Sequence, residues 1–247
     1  MMTSNQKGVK TLCSLLFETT TDYYVNLQTL LRLVNAADAN SLLVAPEVCL
    51  TGFDYENMEK MVAFADEATL ALQEASYNKI IILTMLERVN GHVYNMAKVF
   101  YNGEVVYKRA KARLFRFGEE HKFMQEGLDR DFAIIEVANI KLALLICFEL
   151  RFKELWIKSE GADVIVVPSW WGKLRKEHFK ILTQSLALVN ECYVVASDSK
   201  NEMCTQIGTI VSPQGEALYS GNNACLKATY SKKEISLMRR YMDIGIE

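Results

Sequence analysis

The chain has 247 residues, half of them hydrophobic, and a formal net charge of −2. That length suits one domain, taken as 1–247, with a sizeable core. Near-neutral charge gives no electrostatic footprint for nucleic acid or an anionic membrane, and no run approaches the roughly 20 apolar residues that cross a bilayer.

The N-terminus has a polar start, a short apolar stretch and then Glu18. It lacks the longer apolar core and the cleavage site of a signal peptide, so a cytoplasmic protein is expected. "VKTLCSLLF" reads as a strand. "DYYVNLQTLLRLVNAADA" has helical spacing at Tyr24, Leu27, Leu30, Leu31 and Val34. "SLLVAPEVCL" is a buried strand stopped near Pro46, because proline cannot donate to a ladder. Residues 55–78 read as one or two helices. "KIIILTMLERV" and "HVYNMAKVFY" flank Asn90-Gly91, a strong hairpin signal, and a second turn at Asn102 to Glu104 leads into "VVYKRAKARLF". "FAIIEVANIKLALLICF" continues the strand pattern, "FKELWIKSEG" reads as a helix, "ADVIVVPSWW" as a strand and "RKEHFKILTQSLALVNE" as a helix. "CYVVASDS", "TQIGTIVSPQGEALYS" and "ACLKATYS" are late strands. Helices alternating with strands and inserted hairpins indicate a layered α/β or α+β domain with mixed sheets.

Six cysteines stand at 13, 49, 147, 192, 204 and 225, none in a tight metal-binding pair, so no metal site is expected. Free thiols in a reducing compartment are the simplest account. Basic residues cluster in "YKRAKARLFR" and "LMRRY", the second reading as a solvated face.

Three polar residues follow apolar runs. Glu47 follows "LLVAP", Lys111 follows "VVYKRA" and Cys147 follows "LALLI". Strand ends are where rigid scaffolds present reactive groups. A thiol needs a base or a cation to become a nucleophile, a carboxylate can take its proton, and a lysine can stabilise an oxyanion. Taken singly, a cysteine in an apolar run is more often core, and a lone Glu or Lys is usually solvated. Spacing alone does not join the three.

The flanking motifs join them by resemblance. "LLVAPEVCLTGF", "YKRAKARLF" and "LLICFELRFKELW" resemble, in that order, the glutamate, lysine and nucleophile motifs of the nitrilase superfamily of carbon–nitrogen hydrolases. "IGTIVSPQGEAL" is similar to a late segment of that family, so the likeness covers nearly the whole chain. The resemblance implies a four-layer α-β-β-α sandwich. It implies Glu47 as general base, Lys111 as oxyanion stabiliser, Cys147 as nucleophile and the Phe148 backbone N–H as second oxyanion donor. A second glutamate belongs between Lys and Cys; of Glu119, Glu120 and Glu126, the Glu-His pairing favours Glu120, beside His121. No cofactor is implied. A homo-oligomer, a dimer or larger, is implied, and Phe152, Leu155 and Trp156 are candidates for its interface.

The sequence departs from the family pattern. Arg113 replaces a His, Phe148 and Glu149 replace Tyr and Asp, Lys153 replaces a Pro, Ser169-Trp170 replaces Asn-Trp, and Leu186 and Val189 replace Arg and Glu. These bear on specificity and on the subunit interface more than on reaction type. Glu149 and Arg151 are expected to anchor the nucleophile turn as an ion pair.

"LFRFGEEH" looks most like bacterial ω-amidase-type members, which implies ω-amides of 2-oxo acids as substrates, with N-carbamoyl amines and amino acids next and nitriles last. Phe53, Tyr55, Trp170 and Trp171 are candidate pocket walls. Three readings compete: a catalytically silent binding member, opposed by the intact triad; a thiol redox sensor, opposed by the lack of a resolving cysteine near Cys147 in sequence; and a papain-like Cys-His enzyme, opposed by the lack of its local signature.

Overall fold

Apolar residues occupy both faces of the early strands, so each strand needs cover on two sides. The computed structural model describes residues 8–246; residues 1–7, which hold the polar start of the N-terminus, and residue 247 lie outside the described residues. The first half contributes β1 (Thr11–Leu15), α1 (Tyr23–Asn35), β2 (Ser41–Val44), α2 (Met58–Ala75), β3 (Lys79–Val89), β4 (His92–Tyr101) and β5 (Glu104–Ala110). The second contributes β6 (Ile135–Val137), β7 (Ile140–Leu144), α3 (Lys153–Ile157), β8 (Val164–Pro168), α4 (Lys176–Asn190), β9 (Tyr193–Ser197), β10 (Gly208–Val211), β11 (Ala217–Tyr219), β12 (Cys225–Thr229) and α5 (Lys232–Tyr241).

Two six-stranded sheets form, in the orders β12-β1-β2-β3-β4-β5 and β11-β10-β9-β8-β7-β6. The period of two divides the first sheet. Leu12, Leu42, Val44, Ile80 and Ile82 join one core cluster with Leu144, Val166 and Val195 of the second sheet. Cys13, Leu15, Leu43, Ile81 and Leu83 instead pack with Leu27, Leu30 and Val34 of α1 and Phe64, Ala68 and Leu72 of α2. Phe179 and Leu186 of α4 are buried in the same cluster as the second sheet. The result is the expected α-β-β-α layering. The sheets approach closely at Gly208, where a Cβ would lie 2.5 Å from both Ser14 Oγ and Leu16 Cδ1. Ser14 Oγ bridges the layers by donating to the Ala196 carbonyl at 2.7 Å.

Both Asn-Gly turns form, with Asn90 and Asn102 at φ of 50° and 51°. A third hairpin lies inside "FAIIEVANIKLALL": Ala138 and Asn139, at φ of 49° and 64°, connect β6 to β7. The long helix expected over 152–161 is only the five residues of α3. Residues 55–78 form a short 3-10 turn and one helix. The C-terminal α5, capped by the Ser231 hydroxyl, adds a helix that the sequence reading left out. No helix among the described residues is long and apolar enough to cross a membrane.

Candidate active site

Four strands deliver the site from one end of the sandwich. Pro46 ends β2, and the chain turns sharply. The Glu47 N–H donates to the Ser169 carbonyl at 3.1 Å, which ties this turn to the segment after β8. Val48 sits at φ 46°, an outlier for a β-branched residue. Its N–H is held by Thr84 Oγ1 at 2.8 Å. At the end of β7, Cys147 also has φ 46° and opens a 3-10 turn over Cys147–Arg151. Such backbone costs about 1–3 kcal/mol and clusters at functional sites.

Lys111 is fully buried and lies between two carboxylates. Its Nζ donates to Glu47 Oε1 at 2.7 Å and to Glu120 Oε1 at 2.9 Å. Asn95 of β4 fixes the same group twice. Its Nδ2 donates to Glu47 Oε1 at 2.8 Å, and its carbonyl accepts the Lys111 N–H at 2.8 Å. Glu47 Oε2 is buried and has no hydrogen-bond partner. Glu120 Oε2 accepts the Phe115 N–H at 2.9 Å. The other two candidate glutamates lie elsewhere: Glu119 pairs with Lys122 on the surface, and Glu126 reaches the Leu114 N–H at 3.4 Å.

The electrostatics follow from this burial. Burial works against the Lys111 ammonium, but Glu47 and Glu120 outweigh it and raise its pKa, so Lys111 stays charged. Burial, reinforced by Glu47, holds the Glu120 pKa above the usual carboxylate range despite Lys111. Burial, then the charge of Glu47, raises the Cys147 thiol well above its ordinary value. Lys111 and the Trp170 backbone N–H pull it the other way. The resting sulfur is therefore a neutral thiol that needs a base.

Glu149, in the Cys147–Arg151 turn, does not pair with Arg151. It is fully buried and takes both Arg109 Nη1, at 3.0 Å, and Nη2. It also accepts the Ala112 N–H at 2.6 Å and the Ile146 N–H at 2.7 Å. One carboxylate thus ties the residue after Lys111 to the residue before Cys147. "YKRAKARLFR" is no solvated face at Arg109 or Lys111. Arg151 instead stacks over Trp171 at 5.0 Å and meets His178 Nδ1 at 3.0 Å.

A cavity of about 190 Å³ opens over Cys147, lined by Phe115, Phe117, Phe148, Arg151, Trp170, Trp171 and Arg175. Of the four expected wall residues, Trp170 and Trp171 line it. Phe53 does not; it packs edge-on against Trp170 with centroids 5.9 Å apart. Tyr55 is also absent from the lining. It stacks on Phe123, and burial, then the charges of Glu120 and Glu47, raise its pKa. No histidine lines the cavity. Among the described residues no group of three or more His, Cys, Asp or Glu is placed to hold a metal ion. Sequence reasoning missed Asn95, Thr84, Arg109 and Arg175; the first three are polar groups in strands whose burial depends on the second neighbour.

Residues 11–225 match the family model described as carbon-nitrogen hydrolase. The chain is 28% identical over 193 residues, 73% of each chain, to a 2-oxoglutaramate amidase of Bacillus subtilis. It is 25% identical over 228 residues to the omega-amidase YafV of Escherichia coli strain K12, covering 88% of this chain and 87% of the relative. The fold is similar to that of Saccharomyces cerevisiae Nit3, described as a member of the nitrilase superfamily, with a TM-score of 0.84, 20% identity, and coverage of 100% of this chain and 99% of that one.

Proposed function

The chain belongs to the carbon–nitrogen hydrolase family, and from that premise we propose that it is an amidase in which Cys147 carries the acyl group of a small ω-amide of a 2-oxo acid. The observation that carries this reading is Lys111 held between Glu47 and Glu120, with Glu47 Oε2 buried and without a hydrogen-bond partner and with both Glu47 and Lys111 acting electrostatically on the Cys147 thiol. The names of the two amidase relatives support the substrate class. So does the cavity, smaller than the 300–1,000 Å³ of drug-sized sites.

In this mechanism Glu47 takes the proton of Cys147, and the sulfur bonds to the amide carbon. The oxyanion rests against the Lys111 ammonium and the Phe148 N–H. Collapse breaks the C–N bond, and ammonia leaves with the proton held by Glu47. Water then attacks the thioester and gives its proton to Glu47, which returns it to the departing sulfur. Glu120 holds Lys111 and the Phe115 turn. No step calls for a metal or an organic cofactor.

The test is ammonia release from a panel of ω-amides, N-carbamoyl compounds and nitriles, with the acyl-enzyme sought by intact mass. Cys147→Ala should lose both signals while remaining folded. Ammonia release by Cys147→Ala, or release from carbamoyl compounds alone, would overturn the reading.

The reading extends to assembly and place. We take the protein to be a cytoplasmic homo-oligomer, a dimer or larger. Exposed Ile181, Leu188 and Val189 on α4 support the first part, and six free cysteines support a reducing compartment. Sedimentation as a monomer at micromolar concentration, or recovery outside the cytoplasmic fraction, would refute these two points.

A further inference from the structure

The cavity over Cys147 holds two arginines that the mechanism leaves unused. Arg151 comes from the end of the nucleophile turn, and Arg175 from the 3-10 turn Lys173–Arg175 before α4. Neither takes part in a salt bridge among the described residues, whereas Arg88, Arg109 and Arg113 all do. Their side chains are held by aromatic rings and a histidine instead: Arg151 over Trp171 and against His178, Arg175 over Phe115 at 5.3 Å. Stacking fixes a guanidinium plane and leaves its N–H groups, apart from the Arg151 Nη2 that meets His178, open to an anion. Two uncompensated cations placed close together repel each other, and such an arrangement is stabilised when an anion binds between them.

We propose that Arg151 and Arg175 form a two-armed carboxylate site that holds the far end of the substrate while its amide lies at Cys147. The proposal rests on the amidase reading and deepens it, since it makes a free carboxylate the feature by which substrates are chosen. The remaining lining of Phe115, Phe117, Phe148, Trp170 and Trp171 is apolar or aromatic, so the two guanidiniums are the charged groups of the cavity wall. Consistent with this placement, burial and then the positive charge of Arg175 lower the Arg151 pKa. A planar carboxylate meets the planar forks of two arginines through charge-assisted hydrogen bonds. A neutral amide of the same length makes no such contact and leaves the two cations facing each other.

Two measurements test the site on Arg151→Gln, Arg175→Gln and the two lysine variants. The first is the ratio of kcat/KM for succinamate to that for butyramide. Each glutamine variant should lower this ratio at least about tenfold, the range of one charge-assisted hydrogen bond, with the loss in KM more than in kcat. The lysine variants should retain part of it, because they keep charge but lose the fork. The second is the ratio of Cys147 alkylation rates with iodoacetate and iodoacetamide, which needs no turnover. It too should fall in the glutamine variants. If neither amide is turned over, the amidase reading fails and the alkylation ratio alone decides the arginine site. Unchanged ratios in both glutamine variants, each with the native fold by circular dichroism, would overturn the proposal.

Discussion

Glu149→Gln is the most informative perturbation of the frame around the site. The native carboxylate compensates the fully buried Arg109 guanidinium and accepts two backbone N–H groups, those of Ala112 and Ile146. Glutamine keeps one acceptor oxygen, loses the charge, and turns an NH2 toward groups that also donate. Removing one partner of a buried ion pair costs about 3–5 kcal/mol. An orphaned N–H adds about 1–3 kcal/mol. A loss of at least about 3 kcal/mol is expected, against a total of about 5–15 kcal/mol for a typical domain. In a chain of this size that corresponds to a melting temperature lower by about 6–12 °C. Urea denaturation measures the loss directly. Turnover per folded molecule should fall as well, because Ala112 adjoins Lys111 and Ile146 adjoins Cys147. In the double variant Arg109→Leu/Glu149→Leu the charge problem disappears, so its loss should be smaller than the sum of the single variants. A Glu149→Gln protein within about 0.5 kcal/mol of wild type would refute the argument, since that is the range of surface changes.

Glu47→Gln should lower turnover by at least about 100-fold, the low end for general acid–base work. Because the Glu47 charge raises the Cys147 pKa, the pH midpoint of Cys147 alkylation by iodoacetamide should at the same time move down; an upward shift would contradict the assigned electrostatics. Lys111→Ala should cost about 10²–10³-fold in turnover, as for one oxyanion donor, and also lower stability by leaving Glu47 and Glu120 unpaired; an active, stable variant would remove Lys111 from the mechanism. Glu120→Gln should slow turnover strongly while Glu119→Gln stays near wild type, as a surface change does; kinetics with the reverse order would displace Glu120. Asp198 holds the Trp171 N–H at 2.7 Å, and burial raises its pKa to about 7 against hydrogen bonds from Thr205 and Trp171. A carboxyl whose folded pKa is raised favours folding fully below its unfolded value, and that contribution is lost as pH rises through about 7. Urea unfolding from pH 4 to 8 should therefore show wild type losing stability relative to Asp198→Asn; a difference that does not change with pH would refute this.

Glu47, Lys111 and Cys147 stood out as candidates because each follows a strand-like run and sits in a motif that resembles one of the family's. A layered α/β domain was legible in the alternation of elements, whereas the four layers came from the family resemblance; Leu12 and Cys13, or Ile80 and Ile81, buried on opposite faces of one strand, fit them. Partnership was not legible. Glu149 and Arg151 stand two apart in a helical turn and so point to different sides, while the true partner, Arg109, is 40 residues away. The Ala138-Asn139 turn carries no glycine and hides inside an apolar run. The helix α5 contains the basic cluster "LMRRY", which in sequence reads as a solvated face. It is held by the burial of Ile235, by Glu234 accepting from the Tyr193 hydroxyl, and by Arg239 donating to the Ala162 carbonyl at 2.7 Å. Each of these depends on a neighbour far along the chain.

The buried charges also explain why a thiol so costly to ionise suits this site. A thiolate at Cys147 is opposed by burial and by the charges of Glu47 and Glu120, and favoured by Lys111. Moving the thiol proton to Glu47 changes that balance without changing the total charge. The carboxylate that opposed the thiolate becomes neutral, and the sulfur is left beside Lys111 and the Trp170 N–H, both of which favour its anion. Glu47 Oε2, buried and without a hydrogen-bond partner, offers an acceptor for this proposed step. In the proposed mechanism thiolate forms only when Glu47 has taken its proton, and that same proton is in place for the leaving ammonia. A cysteine with a depressed pKa would be ionised at rest and open to any electrophile; in the proposed mechanism Cys147 is instead activated by a neighbour that then returns the proton.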